Sequence, residues 1–165
     1  VGGDDDGSGP DAAEGTEIVE QLELAIQEEA AAINEHIQVK MSPEGIVMEL
    51  VDSEEVPLFQ LGQSAPTDLL VTLVETVSES FGAFGNSIKI VGHTDSLAYS
   101  DTSRFDNWDL SVDRANMARR LLIESGFPVE RIQEVSGRAD TDLLVLDDPY
   151  AAQNRRISIT LLKQD

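Results

Sequence analysis

The sequence predicts an α/β (α+β) domain: a mixed β-sheet of about four to five strands with helices packed on it, preceded by an amphipathic helix. Three observations carry that prediction. Segments with apolar residues at steps of three and four alternate along the chain with short runs rich in Val and Ile. Two of those runs, 37–41 and 46–51, are separated only by Ser42-Pro43-Glu44-Gly45, which is turn chemistry at hairpin length. The later strand segments are separated by helices or a long loop, which suits crossover connections and a sheet of mixed direction. At 165 residues and 41% hydrophobic content, the chain can bury one real core.

Residues 1–15, VGGDDDGSGPDAAEG, are rich in Gly and Asp and have almost nothing to bury, so 1–16 reads as a flexible acidic linker. From Thr16 the period becomes helical. Val19, Leu22, Ile26, Ala30, Ile33 and Ile37 form one stripe, Glu fills the other face, and Thr16 can cap the start of a helix over 17–37. The hairpin follows, and the folded domain is expected to occupy 38–165. A second helix begins near Ser64–Asp68, turns Leu70, Leu73, Val74 and Val77 inward, and ends at Gly82 and Gly85. Ser87–Val91 is a strand. The next helix runs from about Asn107 to Ser125, with Leu110, Ala118, Leu121 and Leu122 inward, Gly126 at its C-terminal end and Phe127-Pro128 beyond. A strand near Ile132–Ser136, a polar loop to Asn154 and a last strand, Arg156–Leu162, complete the order.

The formal net charge is −21, and it is unevenly spread. Residues 1–90 carry 19 acids against Lys40 and Lys89, whereas 91–165 carry 13 acids against nine bases, including all eight arginines. So acidic a chain is repelled by phosphate backbones, which argues against nucleic acid as a partner. There is no cysteine, hence no disulfide and no thiolate metal site. No apolar run approaches the ~20 residues that span a bilayer.

The stretch Val91-Gly92-His93-Thr94-Asp95-Ser96 closes the third strand with a cluster of reactive residue types. It does not suit nucleophilic catalysis. A Ser-His-Asp triad draws its members from separate segments, whereas these are adjacent, and if the strand continues, His93 and Asp95 share a face from which Ser96 points away. No Gly-x-Ser-x-Gly elbow occurs. Metal binding is equally poorly served: His36 is the only other histidine, and Asp140, Asp142, Asp147 and Asp148 lack calcium-loop spacing. Neither a catalytic residue nor a metal or other cofactor is therefore expected. Asp95 at a strand end and Arg114 in the following helix leave two readings open. They can bind a zwitterion, one charge each, or form a plain ion pair tying loop to helix.

Four stretches then fit one pattern together: VGHTDS, NWDLSVDRANMARRLL at 107–122, VSGRAD at 135–140 and QNRRISI at 153–159. They resemble the OmpA-like peptidoglycan-binding domain, closely over 88–162 and more loosely from about 37. The nineteen-residue separation of Asp95 and Arg114, the extra loop Leu97–Phe105 and the hairpin VKMSPEGIVMELVD look most like MotB/PomB-type flagellar stator subunits.

That resemblance implies non-catalytic binding of peptidoglycan in the periplasm, anchoring a torque-generating ion channel to the wall. Asp95 and Arg114 would hold the diaminopimelate of the stem peptide, ammonium and carboxylate respectively, with Thr94, Asn107, Leu110 and Arg155 lining the groove. His93 would be a structural neighbour. It further implies a homodimer, a channel partner of MotA/PomA type, and an inner-membrane tether through a transmembrane helix that this sequence does not contain. The alternative is a general OmpA/Pal-like wall anchor of the outer envelope unconnected with motility. One departure is visible: where many members carry Asp or Asn after the first Phe-containing strand, this chain has Phe59-Gln60-Leu61-Gly62-Gln63-Ser64.

Overall fold

The computed structural model of the chain describes Glu17, Glu20 and residues 35–60, 63–97 and 106–163. The expected linker 1–16 lies outside the described residues, as do residues 98–105 of the extra loop. Of the expected helix 17–37, Glu17 and Glu20 are helical and exposed, but Glu35 and His36 form a turn and Ile37 already opens a strand. The alternation of Ile37, Val39 and Met41 prevails over the helical stripe at that point because Ile37 pairs with Leu50 across the hairpin.

The first two strands, β1 (Ile37–Ser42) and β2 (Gly45–Val51), are antiparallel, with Ser42 opposite Gly45. Helix α1 (Asp68–Gly82) and strand β3 (Ile88–His93) follow, then helix α2 (Asn107–Glu124), β4 (Ile132–Gly137) and β5 (Arg156–Leu162). The five strands lie in the order β1-β2-β5-β3-β4. Chain-terminal β5 sits between β2 and β3, antiparallel to both, while β3 and β4 pair in parallel at the far edge.

Period-two alternation divides the central strands between two faces. Ile46, Met48 and Leu50 of β2, Ile88 and Ile90 of β3, and Ile157, Ile159 and Leu161 of β5 enter one core with both helices. From α1 come Leu70, Leu73, Val74, Val77 and Phe81; from α2 come Ala115, Ala118 and Leu122, with Leu121 partly buried against them. Thr67 caps α1 by accepting from Leu70 N–H. Asp106 and Asp109 form a reciprocal capping box at the start of α2, and Gly126 leaves that helix at φ +100.

How α2 meets the sheet depends on two glycines that face each other across β3 and β4, Gly92 and Gly137. A Cβ at Gly92 would stand 2.1 Å from Ser111 O, and one at Gly137 2.5 Å from Val112 N, so helix backbone rests directly on strand backbone. The Ser111 hydroxyl fills the remaining space, accepting from Ala139 N–H at 3.0 Å and donating to Trp108 O.

The opposite face of the sheet is polar yet largely buried. Glu49, 4% exposed, accepts from Ser158 Oγ and from Arg156 Nε at 3.2 Å, and pairs with Lys40 Nζ at 3.2 Å. Lys89 pairs with Glu44 at 2.6 Å. Lys40, Glu49, Glu44 and Lys89 line a groove of about 550 Å³, where they are paired with one another.

His93 belongs to that face, since it stands opposite Arg156 in the β3–β5 register. Its Nδ1 is buried without a hydrogen-bond partner among the described residues. Burial pushes the imidazole down from 6.5 to about 4; Arg156 and Arg138 act in the same direction, Glu49 and Asp142 against it. The folded chain thus keeps His93 neutral at pH values where the unfolded chain protonates it. Its contribution to stability is complete above about pH 6.5 and is lost as the pH falls toward 4, an effect on the order of 3 kcal/mol. Thermal melts across that window should show a falling midpoint for the wild type and a flatter profile for His93→Gln. Identical profiles would assign the slope to carboxylates instead.

Candidate functional site

The sequence-expected site residues converge where β2 and β3 end and β5 begins. Asp52 follows β2, Thr94 and Asp95 follow β3, and Arg155 precedes β5. The first turns of α2 supply Asn107, Leu110 and Arg114 from above. Together they line a cavity of about 260 Å³, whose outer wall is Ser53, Glu54, Pro57 and Phe59. All six residues expected from sequence, Asp95, Arg114, Thr94, Asn107, Leu110 and Arg155, are in that lining.

The backbone of the segment after β3 is held from both sides. Thr94 N–H donates to Ala139 O at 2.8 Å, and Ser96 N–H to Pro149 O at 2.9 Å. β3 ends at His93, so Asp95 lies beyond the strand and does not share a face with His93. The expectation of a common face assumed that the strand continues. Here Asp95 reaches the cavity while His93 faces the polar groove on the other side of the sheet. Thr94 Oγ1 donates to Asp95 O at 2.9 Å, and Asn107 Nδ2 to Leu97 O at 3.2 Å, so both side chains brace the loop that bears the carboxylate. Asn107 Oδ1 is buried without a partner among the described residues. Leu110, 2% exposed, gives the cavity an apolar floor.

Charge in the site is ordered around Arg155. Its Nη1 donates to Asp95 Oδ2 and its Nε to Asp52 Oδ2, each at 2.8 Å. Asp95 Oδ1 accepts from Leu97 N–H at 3.0 Å, and Asp52 Oδ1 accepts from Ser53 and Leu58 N–H at 2.9 Å. Burial lowers the Arg155 pKa, but its hydrogen bonds to Asp52 and Asp95 and the charges of both carboxylates outweigh burial and raise it above its ordinary value. Both carboxylates are nearly buried, and Arg155 keeps 26% of its side chain exposed. Asp95 therefore has an ion-pair partner in Arg155, which was expected only as a groove residue.

Arg114, 5% exposed, donates from Nε to Gln63 O at 2.9 Å, and its guanidinium lies 4.8 Å from the centroid of the Phe59 ring. A flat cation stacked on an aromatic face is held in one orientation. The cavity thus brings together a carboxylate-rich group, Asp52 and Asp95 bridged by Arg155, and the Arg114 guanidinium stacked on Phe59. Such a site can recognise a small group that carries both an ammonium and a carboxylate.

Asp52 and Phe59 were not predicted as site residues; Phe59 opens the stretch 59–64 where the sequence departs from the family pattern. The wall comes instead from the loop after β2. Asn154 and Arg156 lie elsewhere: Asn154 is fully buried and fastens the preceding loop through Val145 N–H and Asp148 O, and Arg156 turns to Glu49 on the other face. Adjacent residues at a strand start have diverged to opposite sides, as the pleat requires.

Known proteins resemble this chain at two levels. LafU of Escherichia coli O44:H18, named as a flagellar export/assembly protein, is 35% identical over 132 residues, covering 80% of this chain and 43% of LafU. Motility protein B of Escherichia coli K12 is 31% identical over 134 residues, covering 81% of this chain and 44% of that protein. The chain thus spans less than half the length of either relative.

Among solved structures, a MotB-like protein from Desulfovibrio vulgaris superposes with a TM-score of 0.75 at 22% identity, covering 90% of this chain and 94% of the other. The periplasmic domain of Helicobacter pylori MotB gives 0.69 at 16% identity, with 85% of each chain covered. The cell wall anchor of the type VI secretion system from Pseudomonas aeruginosa also gives 0.69, at 20% identity, with 88% of this chain and 97% of that one covered. At such identities these structures establish the fold, a five-stranded mixed sheet under two helices. Residues 59–156, which carry eight of the twelve cavity-lining residues, match the OmpA family, and the chain belongs to that family.

Proposed function

We propose that this chain is the peptidoglycan-binding part of a flagellar stator subunit of the MotB type, acting without catalysis in the periplasm. In this reading residues 38–165 grip the stem peptide of the wall, while 1–16 and 17–37 connect that domain to a membrane-borne remainder. Asp95 takes the ammonium of the diaminopimelate side chain and Arg114 its carboxylate. Thr94, Asn107, Leu110 and Arg155 complete the groove. The subunit works as a homodimer with a MotA-type channel partner, tethered at the inner membrane. The observation that carries the reading is the 260 Å³ cavity, which gathers both charge signs and draws most of its lining from the segment that matches the family.

Co-sedimentation with purified sacculi tests the binding. The chain should pellet with sacculi and be released by the tripeptide L-Ala-γ-D-Glu-meso-diaminopimelate. Failure to pellet, or release of soluble wall fragments, overturns the reading. The resemblance to a secretion-system wall anchor favours a second reading, a wall anchor unconnected with motility. A chimera separates the two: residues 38–165 replacing the corresponding part of Escherichia coli motility protein B should restore swimming only under the stator reading.

A further inference from the structure

The ion pair at the mouth of the cavity has three members, and the third stands outside the segment that matches the family. Asp52 lies at the end of β2, seven residues before the match begins at Phe59. It is 5% exposed, and both of its oxygens are engaged: Oδ1 by the N–H groups of Ser53 and Leu58, Oδ2 by Arg155 Nε. Its own N–H donates to Arg155 O at 3.1 Å. The carboxylate is therefore fixed by backbone on two sides and holds the guanidinium at its inner nitrogen. What remains of the Arg155 fork is then constrained. Nη1 reaches one oxygen of Asp95, and Nη2 has no partner among the described residues, although Arg155 lines the cavity.

From this geometry we infer that Asp52 is a positioning residue for ligand recognition, dividing Arg155 between two carboxylates so that Asp95 keeps acceptor capacity for a ligand ammonium. A free guanidinium beside a lone carboxylate closes on it with two parallel N–H···O bonds. Here Nε is held by Asp52, which removes the side-on fork, and Nη1 alone donates to Asp95. A carboxylate offers about four lone-pair sites. Among the described residues, Leu97 N–H and Arg155 Nη1 take two at Asp95, which leaves acceptor sites that we assign to the ligand. The same restraint leaves Arg155 Nη2 available for a carbonyl or carboxylate of the bound peptide. Without Asp52, Arg155 swings fully onto Asp95 and neutralises the group that should select a cation.

The inference rests on the stem-peptide reading, and the test distinguishes the two. Asp52→Asn is the informative change, because the amide oxygen still accepts from Ser53 and Leu58 while Nδ2 cannot accept from Arg155. Titration calorimetry of the whole chain with L-Ala-γ-D-Glu-meso-diaminopimelate should show affinity reduced about five- to tenfold in Asp52→Asn, with circular dichroism and melting behaviour preserved. In an Arg155→Gln background, adding Asp52→Asn should cause no further loss, because there is no guanidinium left to position. Equal losses in both backgrounds would mean that Asp52 merely supports the loop, and undiminished binding by the single variant would also overturn the inference. If the wild type itself binds no tripeptide, the stem-peptide reading falls and takes this inference with it.

Discussion

Gly92→Ala is expected to destabilise the chain by about 3 kcal/mol or more, and to remove ligand binding wherever the protein still folds. The added methyl would stand 2.1 Å from Ser111 O and 3.3 Å from Ala115 N, both atoms of the α2 backbone, which cannot rotate aside as a side chain can. Relief requires the helix to rise from the sheet. That breaks the fit of Ala115, Ala118 and Leu122 in the core and draws Ser111 away from Ala139 N–H. Arg114, Leu110 and Asn107 ride on the same helix, so one wall of the cavity moves with it. Denaturant titration of Gly92→Ala beside Gly82→Ala provides the check. Gly82 has nothing within 4 Å of a built Cβ, so its substitution should be nearly neutral, and similar losses in the two would refute the close-contact argument.

Asp95→Asn is expected to leave the fold intact and weaken binding to sacculi tenfold to a hundredfold. The amide preserves the volume and one acceptor for Leu97 N–H, but it removes the charge that faces Arg155 and, in the proposed function, the ligand ammonium. A hydrogen bond to a charged partner contributes about 1.5–3 kcal/mol, which corresponds to that range of affinity. Wild-type affinity in Asp95→Asn, measured by co-sedimentation and tripeptide titration, would remove Asp95 from the site.

Much of this architecture is legible because local pattern and tertiary packing agree. Leu70, Leu73, Val74 and Val77 recur at helical spacing and are all buried in the core; Ile157, Ile159 and Leu161 alternate and all face the helices. The cluster of six cavity residues was anticipated through motif resemblance, while its internal wiring was not. Arg155 and Arg156 look alike in sequence, and only the pairing of Val51 with Arg156 reveals that one serves the cavity and the other the buried Glu49. Asp52 escaped for the same reason, because it meets Arg155 across 103 residues of chain. Glu49 reads as an outward residue of an alternating strand. It is buried because β2 lies inside the sheet, where Lys40 and Arg156 close over it from the strands on either side.

The position of β1 has a mechanical corollary. His36, at the threshold of that strand, exchanges hydrogen bonds with Val51, receiving its N–H at 2.8 Å and meeting its carbonyl through Nδ1 at 2.9 Å. Val51 adjoins Asp52, and Asp52 leads through Arg155 to Asp95. The chain therefore enters the domain at the same end of the sheet as the cavity. A pull applied before His36 and resisted by a molecule held in the cavity would meet this short relay beside the first rung of the β1–β2 ladder, Ile37 with Leu50. Load would thus be shared between the few contacts of the relay and the hairpin, at one end of the sheet.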